Sequence, residues 1–164
     1  MRPWRRSDAS ALATALAESE AHLREFIPWV VDGRVPGQSL EDRLAQHAAD
    51  FATGAAWVYG LFANESGAIL GQCGLYPRVG PGALELGYWV AKHAAGQGIA
   101  TEASEALVRL AFSVDGIERV EIHCDSRNVA SIRVGQRLGF VFERTVPDAR
   151  NPDVLIEVWT LARR

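Results

Sequence analysis

A mixed α/β fold is predicted for this chain on three observations. Two segments of helical spacing open it, and three strand-like segments separated by turn residues follow. A glycine pair then leads into a helix, a strand, a short helix and two closing strands. No internal repeat, low-complexity tract or linker interrupts that order.

With 164 residues the chain is read as one domain, 1–164, long enough to bury a full core. Its 48% hydrophobic and 23% charged residues are ordinary for a globular protein. A net charge of −3 gives no general attraction to nucleic acid, so no DNA partner is expected. The chain lacks the run of roughly 18 apolar residues that a membrane span needs. The start, MRPWRRSDAS, has no apolar stretch behind its basic residues and is not read as a secretory signal. The expected location is cytoplasmic. Cys73 and Cys124 sit in strand-like runs and are read as small buried thiols rather than a disulfide. His22, His47, His93 and His123 show no metal-ligand spacing, so no metal is expected.

Each element has its own local cause. SDASALATALAESEAHL reads as a helix, capped by Ser7 or Asp8, with Leu12, Leu16 and Leu23 near helical spacing. GRVPGQS is a breaker cluster, after which Ser39 with Asp42 opens a second helix, SLEDRLAQHAADFATG. WVYGLFA, AILGQCGLY and ALELGYWVA, parted by NESG and RVGPG, read as an antiparallel meander. Beyond the glycines, Ile99, Ala103, Ala106, Leu107, Leu110 and Val114 mark one helical face. In RVEIHCD, Val120, Ile122 and Cys124 alternate with Glu121 and His123, the pattern of a strand. NVASIRVGQRLG is a short helix ended by Gly139, and FVFERT and DVLIEVWTL close the chain as strands.

The stretch AAGQGIATEAS, residues 94–104, places Gly96 and Gly98 at a helix start. Unpaired N–H groups and the positive end of the helix dipole make such a start a place for an anion. A ligand-free tight turn is the commoner cause of two nearby glycines. A triphosphate loop needs a lysine after its glycines, and the chain's sole lysine, Lys92, precedes them. A dinucleotide fingerprint fails at Thr101 and at the meander ahead of it. An acetyl-CoA pyrophosphate loop is the third possibility.

The whole chain resembles the GNAT acetyltransferases, and within them the RimJ/RimL-like branch of ribosomal-protein N-acetyltransferases. The residues that carry this are Leu86-Gly87-Tyr88-Trp89-Val90, then Gly96-Gln97-Gly98-Ile99-Ala100-Thr101-Glu102-Ala103. Arg119-Val120-Glu121, Asn128 to Val134 and Leu138-Gly139-Phe140 follow in the family's order, and RPW..SDA and HLREFIPWV also look like this branch. The resemblance implies a GNAT fold, with a mostly antiparallel central sheet splayed between its fourth and fifth strands and flanked by helices. It implies a first strand ahead of the RPW block, where only Met1 stands. It also implies acetyl transfer from acetyl-CoA to a primary amine, a protein N-terminus or a small molecule, by direct attack in a ternary complex. Assembly as monomer or homodimer is open. Two positions depart from the family pattern. The loop's usual leading arginine or glutamine is Ala95, and the frequent tyrosine acid is Gly135, which either makes room for something or reflects simple loss. A non-catalytic acetyl-CoA-binding or sensor protein is the alternative function.

By the same resemblance, the backbone of Trp89, Val90 and Ala91 pairs with the pantetheine arm. Gly96, Gln97, Gly98, Ile99, Ala100 and Thr101 donate N–H groups to the pyrophosphate. Asn128 contacts the cofactor arm or serves only as an N-cap. Ser131, on the same helix face, donates to the departing thiolate or bonds its own backbone. Glu85 is either the base that takes the amine proton or a solvated strand carboxylate. Glu102, in a helix's first turn, favours the dipole and is read as structural. The acceptor groove falls around Leu23 to Trp29 and Arg78 to Ala83, with Trp29, Trp57 and Tyr76 as either its lining or core aromatics.

Overall fold

The computed structural model describes residues 1–27 and 38–163. Trp29 and the breaker cluster before Gln38 lie outside the described residues. The strands are β1 (Arg2–Pro3), β2 (Trp57–Phe62), β3 (Ile69–Tyr76), β4 (Ala83–Val90), β5 (Arg119–Asp125), β6 (Val141–Pro147) and β7 (Leu155–Ala162). The helices are α1 (Ala9–Arg24), α2 (Leu40–Thr53), α3 (Ile99–Ser113) and α4 (Val129–Arg137). The seven strands form one sheet in the order β1-β2-β3-β4-β5-β7-β6. The β4–β5 pair is parallel, and the three other pairs with an assigned register are antiparallel. A parallel neighbour cannot be reached by a hairpin, and the glycine loop with α3 supplies the crossover. The β4–β5 register joins Ala83, Leu84 and Glu85 to Arg119, Val120 and Glu121, while the strands run on to Val90 and Asp125.

The chain divides into two compact units. The first comprises Met1–Gly74 and Tyr88–Ala103. Its core holds Trp4, Leu12, Leu16, Leu23, Leu44, Val58 and Leu61. The first strand, expected ahead of the RPW block, is instead the two-residue β1 within it, set against Gly60 and Tyr59 of β2. Arg2 holds it down: its guanidinium grips both oxygens of Asp8 at 2.7 and 2.8 Å and lies 4.0 Å over the Phe62 ring. Asp8 therefore does not cap α1 as expected. A 3-10 turn over Arg6–Asp8 precedes the helix and turns its carboxylate back onto the Arg5 N–H at 2.8 Å. The second helix starts as expected, with the Ser39 hydroxyl accepting the Asp42 N–H at 3.1 Å.

The second unit comprises Leu75–Gly87 and Ser104–Arg164. Leu84, Leu86, Leu107, Val120, Ile122, Phe140 and Val158 are buried in it. β5 and β7 pair along their length, from Arg119 against Ala162 to Asp125 against Ile156.

The buried stripe of α3 differs from the expected face. Ala103, Ser104, Leu107, Val108 and Ala111 are inside, whereas Leu110 and Val114 are 40% and 42% exposed. Ala103, Leu107 and Ala111 repeat every fourth residue, and their neighbours Ser104 and Val108 widen that stripe. Ser104 is small enough to be carried into the core, so hydrophobicity alone set the stripe's centre about one residue too far along.

Candidate active site

The first unit builds a run of free backbone donors. Gly71 has φ +155, and a Cβ there would stand 2.2 Å from the Trp89 carbonyl oxygen, so only glycine lets β3 lie this close to the end of β4. The Ala91 N–H donates to the Leu70 carbonyl at 2.8 Å, and the Ala91 carbonyl accepts from Ala94 at 2.9 Å. Both backbone groups of Ala91 are thus engaged. The buried Ser19 hydroxyl of α1 accepts the Lys92 N–H at 3.0 Å and fixes the 3-10 turn Lys92–Ala94, with Ala91 and Ala94 buried beneath it.

From that anchored base the loop rises into solvent. Gly96 and Gly98 take φ +76 and +81, and a Cβ on either would meet nothing within 4 Å. The first bond of the helix is Glu102 N–H to the Gly98 carbonyl at 3.0 Å. Among the described residues, no N–H from Gly96 to Thr101 has a backbone acceptor. Four unpaired donors are normal at a helix start; here the loop adds Gly96 and Gln97 to them. The Gln97 side chain turns back onto the His93 carbonyl at 2.9 Å and stiffens the loop. This cradle suits an anion with several oxygens, such as a pyrophosphate. Ala95 offers no side-chain donor there, so the donors the loop presents are backbone N–H groups.

The second unit holds the charged groups. Glu85 sits on β4 with its side chain 12% exposed. Both its oxygens accept from Arg78, from Nε at 2.7 Å and from a terminal nitrogen at 2.6 Å. Glu85 in turn raises the Arg78 guanidinium above its ordinary value. The guanidinium also lies 4.6 Å over the Tyr76 ring. That ring rests on Gly87, where a Cβ would stand 3.2 Å from it. Tyr76 is therefore beside Glu85, while Trp57 packs near Gly54 in the first unit.

Beside Glu85 in the parallel register stands Glu121, a buried carboxylate missed by sequence reasoning. Arg119 Nε donates to one of its oxygens at 2.7 Å, and His123 Nε2 lies 2.8 Å from the other. Burial works to raise the Glu121 carboxyl, yet the His123 and Arg119 hydrogen bonds outweigh it and hold it below its ordinary value. The signal in the sequence was the Arg-x-Glu-x-His alternation on one strand face.

Asn128 caps α4 as expected, its side-chain oxygen accepting the Ser131 N–H at 3.1 Å. Ser131 does more than cap. Its side chain is hydrogen-bonded to that of Cys124, whose thiol burial pushes up to about 11 against the lowering effect of that bond. Gly135 is buried, and a Cβ there would stand 3.6 Å from Ile122 and 3.7 Å from Phe140. Both are ordinary contact distances, so the position faces the core and is not closed to a first side-chain carbon. Both cysteines are buried and unbridged.

The sheet thus has one parallel pair, a crossover entered through a donor-rich glycine loop and a carboxylate on the strand before it. Residues 1–141 match the acetyltransferase (GNAT) domain family, and the chain belongs to it. YkkB of Bacillus subtilis (strain 168) is 31% identical over 96 residues, which are 57% of this chain and 56% of YkkB. The chain thus matches little more than half the length of that relative. RimL, a ribosomal L7/L12 α-N-protein acetyltransferase, superposes with a TM-score of 0.85 at 21% identity, covering 98% of this chain and 92% of RimL. That structure is a complex with coenzyme A held as a disulfide to one of RimL's cysteines. The microcin C7 self-immunity acetyltransferase MccE, in complex with acetyl-CoA and AMP, gives 0.84 at 18% identity, over 98% of this chain and 90% of MccE.

Proposed function

We propose that residues 1–164 act as one domain that moves an acetyl group from acetyl-CoA to a primary amine, by direct attack within a ternary complex. The observation that carries this is the run of unpaired donors from Gly96 to Thr101 in a chain of the acetyltransferase family. The CoA and acetyl-CoA complexes of RimL and MccE support acetyl-CoA as the cosubstrate. RimL's acetylation of ribosomal-protein N-termini supports a peptide amine as acceptor.

Each residue has a task that its surroundings permit. Gly96, Gln97, Gly98, Ile99, Ala100 and Thr101 hold the pyrophosphate through backbone N–H groups. The backbone of Trp89 and Val90 pairs with the amides of the pantetheine arm, and Ala91 adds at most its carbonyl oxygen. Asn128 has its oxygen in the cap and turns its side-chain amide N–H groups to the arm. Acetyl-CoA supplies an activated thioester; the protein must hold it, neutralise the amine and support the charge that moves to sulfur. Glu85 takes the proton from the attacking amine, directly or through water. Ser131 donates its hydroxyl to the departing thiolate, a role for which its present bond to the Cys124 sulfur is a model within the protein itself.

The test is incubation with acetyl-CoA and a panel of amines and peptides, reading free thiol. Release with any acceptor supports transfer. A second reading, a non-catalytic acetyl-CoA sensor, is favoured by one observation: both oxygens of Glu85 are occupied by Arg78. Absence of thiol release alongside tight CoA binding would establish the sensor instead.

A further inference from the structure

The Arg78–Glu85 pair is placed to recognise more than an amine. Glu85 is the nearly covered member, and Arg78, 59% exposed in its side chain, is what a solute meets first. One carboxylate is gripped by two parallel N–H donors at 2.6 and 2.7 Å, so an ammonium reaches Glu85 only by displacing a guanidinium.

Among the described residues, the neighbouring Glu121 offers no substitute. The Glu121 oxygens are already taken by Arg119 and His123, and a terminal nitrogen of Arg119 also donates to the Val79 carbonyl at 3.1 Å. Glu85 sits on a strand held by the β5 register, whereas Arg78 belongs to the connection between β3 and β4. The movable partner is therefore the arginine. Its guanidinium rests on the flat face of Tyr76, over which it can slide without losing that support.

An amine that enters alone exchanges one ion pair for another and strands Arg78. An acceptor that also carries an anion close to its amine gives Arg78 a new partner. Four charges then alternate: Glu85, the ammonium, the acceptor's anion and Arg78. We propose that the acceptor of this enzyme bears a carboxylate within a few bonds of the reacting amine, and that Arg78 is the specificity-determining residue that reads it. Two sources have this chemistry, a free α-amino acid and a peptide whose second residue is acidic. The proposal rests on the acetyl-transfer reading above.

The experiment compares kcat/KM for matched acceptors in the native protein and two variants. One arm sets alanine against alaninamide; the other sets the dipeptide Ala-Asp, as its C-terminal amide, against Ala-Asn amide. In at least one arm the carboxylate form is expected to be favoured by about tenfold or more, the scale of one charge-assisted bidentate contact. The favoured arm names the source. Arg78→Gln should abolish the preference by slowing the carboxylate form, while Arg78→Lys, which keeps the cation, should retain part of it. The preference should also shrink as salt is raised. Equal rates in both arms, or an undiminished preference in Arg78→Gln, would overturn the assignment while thiol release leaves acetyl transfer standing. No release with any of the four acceptors, or with the wider amine panel, would overturn both.

Discussion

Ser131 and Glu85 each already have a partner, and that makes their roles separable. The Ser131 hydroxyl is directed at the Cys124 sulfur, so removing either side has a different consequence. Ser131→Ala is expected to leave CoA affinity nearly unchanged while lowering kcat, because a donor to the developing thiolate acts mainly in the transition state. Cys124→Ala, which frees the hydroxyl, should not lower kcat. Equal slowing in the two variants would reduce the contact to packing. For Glu85→Gln the expected loss at neutral pH is roughly 10²–10⁴-fold, the usual contribution of a general base. Part of it should return as pH rises, since more of the amine is then already neutral. A loss constant across pH would make Glu85 a positioning residue, and a change below about threefold throughout would leave deprotonation to water. The identities of Ser131 and Glu85 were readable from motif position. Their bonds to Cys124 and Arg78 were not, because each joins residues seven apart that only a packed helix or a turned strand brings together.

At the scale of elements, the glycine loop, α3 and the β1 contact offer tests. A side chain at Gly98 would occupy the open space above the free N–H groups, and Gly98→Val should weaken CoA binding strongly. Positive φ adds strain of about 1–2 kcal/mol for any L side chain, so binding must be compared on the folded fraction. Unchanged affinity would remove the pyrophosphate from this loop. In α3, Leu107 is fully buried, and Leu107→Ala should cost about 2–5 kcal/mol in denaturant unfolding, while Leu110→Ala, on the exposed side, should cost far less. The reverse order would return the buried stripe to the face that hydrophobicity suggested. Asp8 gives a pH signature. Hydrogen bonds from Arg2 hold its carboxyl below the ordinary range, against the opposing effect of burial. A depressed folded value means that the Arg2–Asp8 contact stabilises above the unfolded value near ~3.9 and is lost as pH falls through the folded one. Asp8→Asn should therefore lower stability by about 1 kcal/mol at neutral pH and by almost nothing near pH ~2. An equal difference at both pH values would show that charge is not what holds β1.

For the whole molecule, a ligand that binds only the folded chain raises its melting temperature in proportion to affinity and concentration. CoA and acetyl-CoA should raise it more than ATP or NAD at equal concentration; the reverse ranking would place a nucleotide on the glycine loop. What the sequence determined by itself is the local order: every described helix and strand beyond β1, the Ser39 and Asn128 caps, and the glycine pair at the helix start. These follow from periodicity, turn residues and capping, which act over a few residues. The tertiary structure decided the rest. It decided that β1 exists as two residues pinned by Arg2, and that Ser104 rather than Leu110 lies in the core. It also decided that Glu85 closes on Arg78 while Glu121 is buried between Arg119 and His123. A charged residue in a strand reads the same whether it faces water or a partner. Only the register of β4 against β5 and the turn that returns Arg78 over Tyr76 choose between them, and those are distances across the fold.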